Sequence, residues 1–380
     1  MAAPQSAIAS DSRIVGGEDV TDFSLKLSKG VTVEVFTLAN PYRVIVDMPD
    51  VAFELPEGAG RKGEGLVKTF RYGLFAARKA RIVIDTLSPV AIERADMVSV
   101  GGTAVRLQLR LRAIDAATFG YGTGASRTAS PKTKPSLTPF KPKSSRPVIV
   151  IDPGHGGIDP GTLSANNVYE KDVVLAVAKV LRKELVARGG FQVEMTRTKD
   201  VFVKLSERLA FSEKKGADLF ISLHADALAD QRYVKRVRGA TVYTLSERAS
   251  DEAARKAAEK ENNADAIAGL PTFKEENVGE VRDILIDLVK RETANFSADF
   301  SNALVKRMGE SVRLSRKPQR SAAFKVLRQT GTPSVLVELG YLSNSEDEKS
   351  LTSDSWRKKM AKAIANAVET YFKRRTVLSR

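Results

Sequence analysis

Apolar and polar residues alternate along several short stretches of the first hundred positions. VTVEVF (31–36), YRVIVDM (42–48), ARIVIDTL (80–87) and AVRLQLRLRAI (104–114) repeat with period two and are rich in β-branched residues, the mark of strands with one buried face. Turn formers such as SKG, NP, PEGAG and GG separate them, so this region predicts a small antiparallel β-sandwich. From Val148 the texture changes. VIVID (148–152) is a short, fully apolar run followed by a glycine-rich loop, and VVLAVAKVLRKELVARGG (173–190) has helical period and a glycine stop. FQVEMTR (191–197), DLFISL (218–223), GATVYTL (239–245) and SVLVELG (334–340) read as further strands. LSERLAFSEKKGA (205–217), with Ser206 as a cap candidate, SADFSNALVKRMGESV and WRKKMAKAIANAVETYFKRR (356–375) read as helices. Alternating strands and helices predict an α/β fold with a mostly parallel sheet flanked by helices.

Between the two halves lies ATFGYGTGASRTASPKTKPSLTPFKPKSSRP (117–147), with five prolines, six basic residues and no acidic one. That composition buries too little surface to fold and reads as a semi-extended tether. The expected organisation is a β-rich domain over 1–116, a linker over 117–147 and an α/β domain over 148–376. The α/β domain carries a helical insert at 247–295. The chain of 380 residues has a net charge of +15. Part of the excess belongs to the tether and the rest is spread thinly. No nucleic-acid module is visible, so the charge speaks to solubility rather than to a binding site. No run reaches the roughly 18 apolar residues of a membrane span. MAAPQSAIASDSR has no basic segment leading into an apolar one, so the expectation is a cytoplasmic chain or the mature form of an exported one.

Zero cysteine and two histidines narrow the chemistry. Disulfides, thiol nucleophiles and thiolate zinc sites are excluded. Any imidazole chemistry uses His155, in VIVIDPGHGGIDPG, or His224, in DLFISLHAD. Both follow predicted strands, as does Glu338 in SVLVELGYLSN, and ligands of open α/β sheets bind at the carboxyl ends of strands. Glu170, in NVYEKDVVLAV, opens the helix after the first glycine-rich loop. Two imidazoles and a carboxylate form a catalytic zinc set with one position left for water. His155, Glu170 and His224 supply that set, and Glu338 is the carboxylate left to move a proton. Each residue alone has a plainer reading. DPGHGG could be a tight turn or a phosphate loop, a strand-end histidine could be structural, and Glu338 could be a buried ion-pair partner. No G-x-S-x-G elbow supports a serine triad.

The motifs VIVIDPGHGGIDPG, the glutamate of NVYEKD, TRTKD…LSERLAFSEKKGADLFISLHAD and VLVELGYLSNSEDE, in this order over about 148–375, resemble the zinc-dependent N-acetylmuramoyl-L-alanine amidases. The resemblance implies one zinc ion held by His155, Glu170 and His224, and Glu338 as the catalytic acid/base. It implies hydrolysis of the amide between N-acetylmuramic acid and L-alanine of peptidoglycan. The β-rich module resembles the AMIN domain of cell-division amidases, which implies binding to the cell wall, enrichment at the septum and a periplasmic location.

The insert reads as two helices, DEAARKAAEKENNADAIAG and EENVGEVRDILIDLVKRETANF, around GLPTF. Val278, Val281, Ile284, Leu285 and Leu288 form an apolar stripe on the second. A helix packed on its own domain is the plain reading. Division amidases with such an insert are held off by it until an activator with a LytM-type domain binds. The resemblance therefore implies a helix over the zinc cleft, with Glu276 or Glu280 filling the open metal position, and an otherwise monomeric enzyme. The competing readings are another zinc peptidase or carboxypeptidase acting on cell-wall peptides, and a non-catalytic cell-wall binder.

Overall fold

The computed structural model describes residues 6–38, 41–76, 78–116, 119, 146–227, 237–270, 284–329 and 331–378. Its chain forms two compact units, one built on 1–135 with the short stretches 157–159 and 265–274, the other on the remainder. Almost all of the proline-rich stretch 117–147 lies outside the described residues.

In the first unit the alternating pattern yields nine strands among the described residues. These are β1 (Ala7–Gly16), β2 (Val20–Leu27), β3 (Glu34–Leu38), β4 (Arg43–Pro49), β5 (Val51–Phe53), β6 (Val67–Ala76), β7 (Lys79–Thr86), β8 (Val90–Gly101) and β9 (Ala104–Ala113). They form a five-stranded sheet, β5-β1-β2-β9-β8, and a four-stranded sheet, β3-β4-β7-β6. Only the short β1–β5 pair is parallel. Period two sends Phe23, Leu25, Leu27, Leu107, Leu109 and Leu111 of the first sheet into one core with Val44, Val46, Phe70, Ile82 and Ile84 of the second. Each such side chain contributes about 1.5–3 kcal/mol when removed from water. This is the expected antiparallel sandwich.

The second unit is the expected α/β fold. The elements from Val148 onward are β10 (Val148–Pro153), α1 (Glu170–Arg188), β11 (Gln192–Met195), α2 (Leu205–Lys215), β12 (Leu219–His224), β13 (Ala240–Leu245), α3 (Glu252–Glu261), α4 (Ala264–Ile267), α5 (Ile284–Gly309), β14 (Leu314–Ala322), β15 (Ser334–Glu338), α6 (Ser345–Leu351) and α7 (Asp354–Leu378), of which α4 from Asp265 on is counted with the first unit. The sheet order is β11-β10-β12-β15-β13-β14. All neighbours are parallel except β13 and β15. Ile149, Ile151, Ile221, Leu223, Val335 and Val337 pack under α1, α5 and α7. Val150, Phe220, Tyr243 and Leu336 pack on the other face with Ala254 and Ala258 of α3 and with Phe324. Strands covered on both faces are apolar throughout, which is why VIVID shows no alternation.

Several details depart from the pattern, and one is that the first insert helix breaks at 262–263 into α3 and α4. The cap of α2 is Lys204 rather than Ser206, which sits inside the helix, and the Glu207 carboxylate accepts the Lys204 N–H at 3.4 Å. From Ile284 on, the second insert helix and the helix expected after it are one continuous 26-residue α5, since no Gly or Pro interrupts 284–308. Strand β14, LSRKPQRSA, carries no strand signal because it is a polar sheet edge, where proline is tolerated.

Candidate metal centre

The sheet places the chemistry on one rim. His224 is the last residue of β12 and Glu338 the last of β15, and parallel pairing sets the two side by side. His155 follows β10 by two residues, and Glu170 opens α1. All four are buried, with no more than 5% of any exposed. His155 Nε2 lies 3.1 Å from Glu170 Oε1, and His224 Nδ1 lies 3.4 Å from the same oxygen. One ligand atom from each of His155, Glu170 and His224 falls within 4.8 Å of the others. His224 Nδ1 is buried and has no hydrogen-bond partner, although such groups are normally satisfied. Two imidazoles, a carboxylate and an orphaned ring nitrogen at one point suit a zinc-sized cation.

Backbone geometry makes this convergence affordable only to particular residues. A Cβ on Gly154 would stand 2.5 Å from the His224 ring, and one on Gly161 would stand 2.7 Å from the His155 ring and 2.8 Å from Glu170. His155 itself has φ +57°, a left-handed conformation that costs a non-glycine residue about 1–2 kcal/mol. Glu170 is aimed by two backbone donors, Thr162 N–H on Oε2 at 2.9 Å and Ala225 N–H on Oε1 at 2.8 Å. Glu338 Oε2 accepts the Asp226 N–H at 3.0 Å, while its buried Oε1 has no hydrogen-bond partner.

Two residues that the motifs do not mark complete the centre. Glu261, the last residue of α3, brings Oε2 to 3.3 Å from His155 Nε2 and 3.0 Å from His224 Nδ1. Its neighbour Lys260 donates to Asp226 Oδ1 and, at 2.7 Å, to Thr162 Oγ1. Among the described residues it is the first insert helix that delivers a carboxylate to the imidazoles. Glu276 and Glu280, the sequence candidates, lie outside the described residues, as do Val278 and Val281. A sequence signal for Glu261 exists. Ala254 and Ala258 face the core, and Glu261 continues that face at helical spacing. Asn262 then fixes the helix end, its amide donating to Ala323 O at 2.8 Å and accepting from Lys325 N at 2.7 Å.

The electrostatics favour added positive charge between the imidazoles. Burial alone would lower the His224 pKa, but the carboxylates of Glu261 and Glu170 overcome it and raise it to about 10. Burial would raise Glu170 and Glu261, and the two histidines instead hold both carboxyls below their usual range. Glu338 goes the other way. Burial first, then the negative charges of Asp226, Glu170 and Glu261, push it well above an ordinary glutamate, the direction suited to a group that takes up and returns a proton.

Both units are similar to known proteins. Residues 149–370 match the family model described as N-acetylmuramoyl-L-alanine amidase, and residues 13–110 match the AMIN domain. The chain is 33% identical to N-acetylmuramoyl-L-alanine amidase AmiC of Neisseria meningitidis serogroup B over 97% of its length and 90% of the relative's. It is 29% identical to AmiC of Escherichia coli O6:H1 over the same shares. It is 36% identical to AmiA of Escherichia coli K12 over 65% of this chain and 82% of that one.

Proposed function

The chain belongs to the N-acetylmuramoyl-L-alanine amidase family, and from that premise we propose that His155, Glu170 and His224 hold one catalytic zinc ion and that Glu338 is the acid/base. The enzyme is a peptidoglycan amide hydrolase carrying an AMIN domain. Zinc in such a site acts as a Lewis acid on the amide carbonyl and acidifies water. Glu338 takes the proton of the attacking water and returns it to the leaving nitrogen of L-alanine. The Asp226 N–H holds one oxygen of Glu338, leaving the other for the proton. The convergence of the two histidines with Glu170 carries this reading.

The test is digestion of purified sacculi with metal analysis of the same protein. One zinc per chain, loss of activity with chelator and recovery with zinc are expected. Intact stem peptides and unsubstituted glycan are the products of an amidase, and cleavage within the stem would identify a peptidase instead. A chain that binds sacculi without metal or turnover would be a cell-wall binder.

A second reading concerns regulation, and Glu261 favours it. Its carboxylate stands 3.0–3.3 Å from a nitrogen of each imidazole, where it would compete with water or substrate for a metal held there. Lys260 occupies Asp226 and Thr162. In this reading α3 is an autoinhibitory cover, latched by two oppositely charged neighbours, and an activator with a LytM-type domain removes it. The β-rich domain of 1–116 localises the enzyme on the cell wall at the division site, the segment 117–147 tethers the catalytic domain of 148–376, and the enzyme works in the periplasm as a monomer.

A further inference from the structure

Asp152, Arg197 and Arg208 are buried beside the metal centre, and the reaction uses none of them. We propose that Arg208 is a positioning residue for the metal ligand His155, holding its backbone in the left-handed conformation that brings the imidazole to Glu170. The Arg208 guanidinium is 3% exposed and each of its nitrogens is engaged. Nη2 donates to the carbonyl of His155 itself at 2.9 Å, and Nη1 to the carbonyl of Pro153 at 2.8 Å. Nη1 also donates to Asp152 Oδ1 at 2.7 Å, and Nε to Val203 O at 2.9 Å.

Asp152 is in turn fixed by Thr196 Oγ1 at 2.6 Å and Ser222 Oγ at 2.8 Å. The guanidinium is thus braced by β10, the end of β11 and β12, the strands that carry or flank the ligand loops. Arg197 secures the same loop one step earlier, donating to Pro153 O at 3.0 Å and Gly154 O at 2.7 Å. Arg208 grips the ligand residue itself. A strained conformation persists only where its surroundings over-determine it, and at His155 those surroundings include the rigid fork of Arg208. Lysine cannot reproduce two divergent donors in one plane.

The experiment uses the full chain and three measurements: zinc affinity by chelator competition, the visible spectrum of the cobalt(II)-substituted protein, and thermal unfolding of the metal-free protein. Arg208→Lys is expected to weaken zinc binding at least tenfold and to change the cobalt spectrum. Ser222→Ala, which removes one brace of Asp152, is expected to shift both in the same direction by less, and keeps the test alive if the arginine variant does not fold. Leu181→Ala, a core truncation in α1, is the control, with a lowered melting temperature and zinc affinity within twofold of wild type. The proposal is overturned if Arg208→Lys leaves zinc affinity and the cobalt spectrum unchanged. It is equally overturned if its zinc affinity falls no further than that of a core variant of matched melting temperature.

Discussion

Replacing Lys260 with methionine tests the latch on α3 with the least disturbance to the helix. Methionine keeps the helix propensity and most of the stem of lysine and removes the ammonium, with its charge and its donors. The Lys260 side chain is 37% exposed and that of Asp226 is 9% exposed, so the pair is neither a surface pair nor a fully buried one. Surface pairs are worth about 0–1 kcal/mol, and breaking a buried pair costs about 3–5 kcal/mol. An intermediate value of about 2 kcal/mol suits this geometry. Methionine leaves Asp226 with its Thr162 and Ala227 donors but no cation only while the helix covers it, so the loss falls on the closed state. At about 1.4 kcal/mol per decade, the open-to-closed ratio rises roughly 30-fold. While the open fraction is small, basal hydrolysis rises by the same factor. The assay is dye release from labelled sacculi without activator, with the activated rate as the ceiling. Lys260→Met should raise the basal rate about 30-fold and leave the ceiling unchanged, and Glu261→Gln should raise it further. If Glu261→Gln is faster and Lys260→Met is not, α3 is a cover without this latch. If neither changes the basal rate of zinc-loaded protein, autoinhibition by α3 is wrong.

Glu338→Ala should retain zinc and, in a Glu261→Gln background, lose about 10²–10⁴ in turnover; a variant that still solubilised sacculi would remove Glu338 from the mechanism. His155→Ala should lose both metal and activity in the same two assays. Gly154→Ala should displace the His224 ring and weaken zinc binding in chelator competition without lowering the melting temperature of the metal-free protein as strongly; unaltered affinity would mean the loop yields freely. For pH, burial would raise Asp152, but Arg208, Thr196 and Ser222 outweigh it and hold it below the usual aspartate range. A depressed folded-state pKa gives stability that is present above the unfolded value of about 3.9 and is lost as pH falls through the lower folded value. Asp152→Asn should therefore flatten the acid limb of melting temperature against pH, and an unchanged limb would assign it to other carboxylates.

How much of this was legible in the sequence varies by physical cause. The buried parallel strands are legible because both faces are covered and VIVID and DLFISL are apolar throughout. His155, His224 and Glu338 are legible because strand ends and short motifs locate them. Strand β8 is harder to read because much of it faces solvent, and β14 because its residues satisfy an edge rather than a core. Strand β2 turns Thr21, Phe23, Leu25 and Leu27 inward in clean alternation, yet it is not among the strands expected from the sequence. The carboxylate that meets the imidazoles is a different matter. The second insert helix has the more conspicuous apolar stripe, and stripes report what a helix packs against. Glu261 is placed by the small alanine face of the first helix and by the Asn262 clamp, contacts with residues more than sixty positions away. Local pattern carries no record of such pairings.

Glu261 also has a consequence for exchange of the metal. If α3 is the cover proposed above, the Glu261 carboxylate would add a fourth protein ligand in the closed form and take it away in the open one. Coupling between two equilibria is reciprocal, so zinc that draws α3 shut is itself retained longer by the shut helix. On that reading the resting enzyme would be the better metal store and the working enzyme the leakier one. Variants selected for high basal hydrolysis should be those that starve first when zinc is scarce.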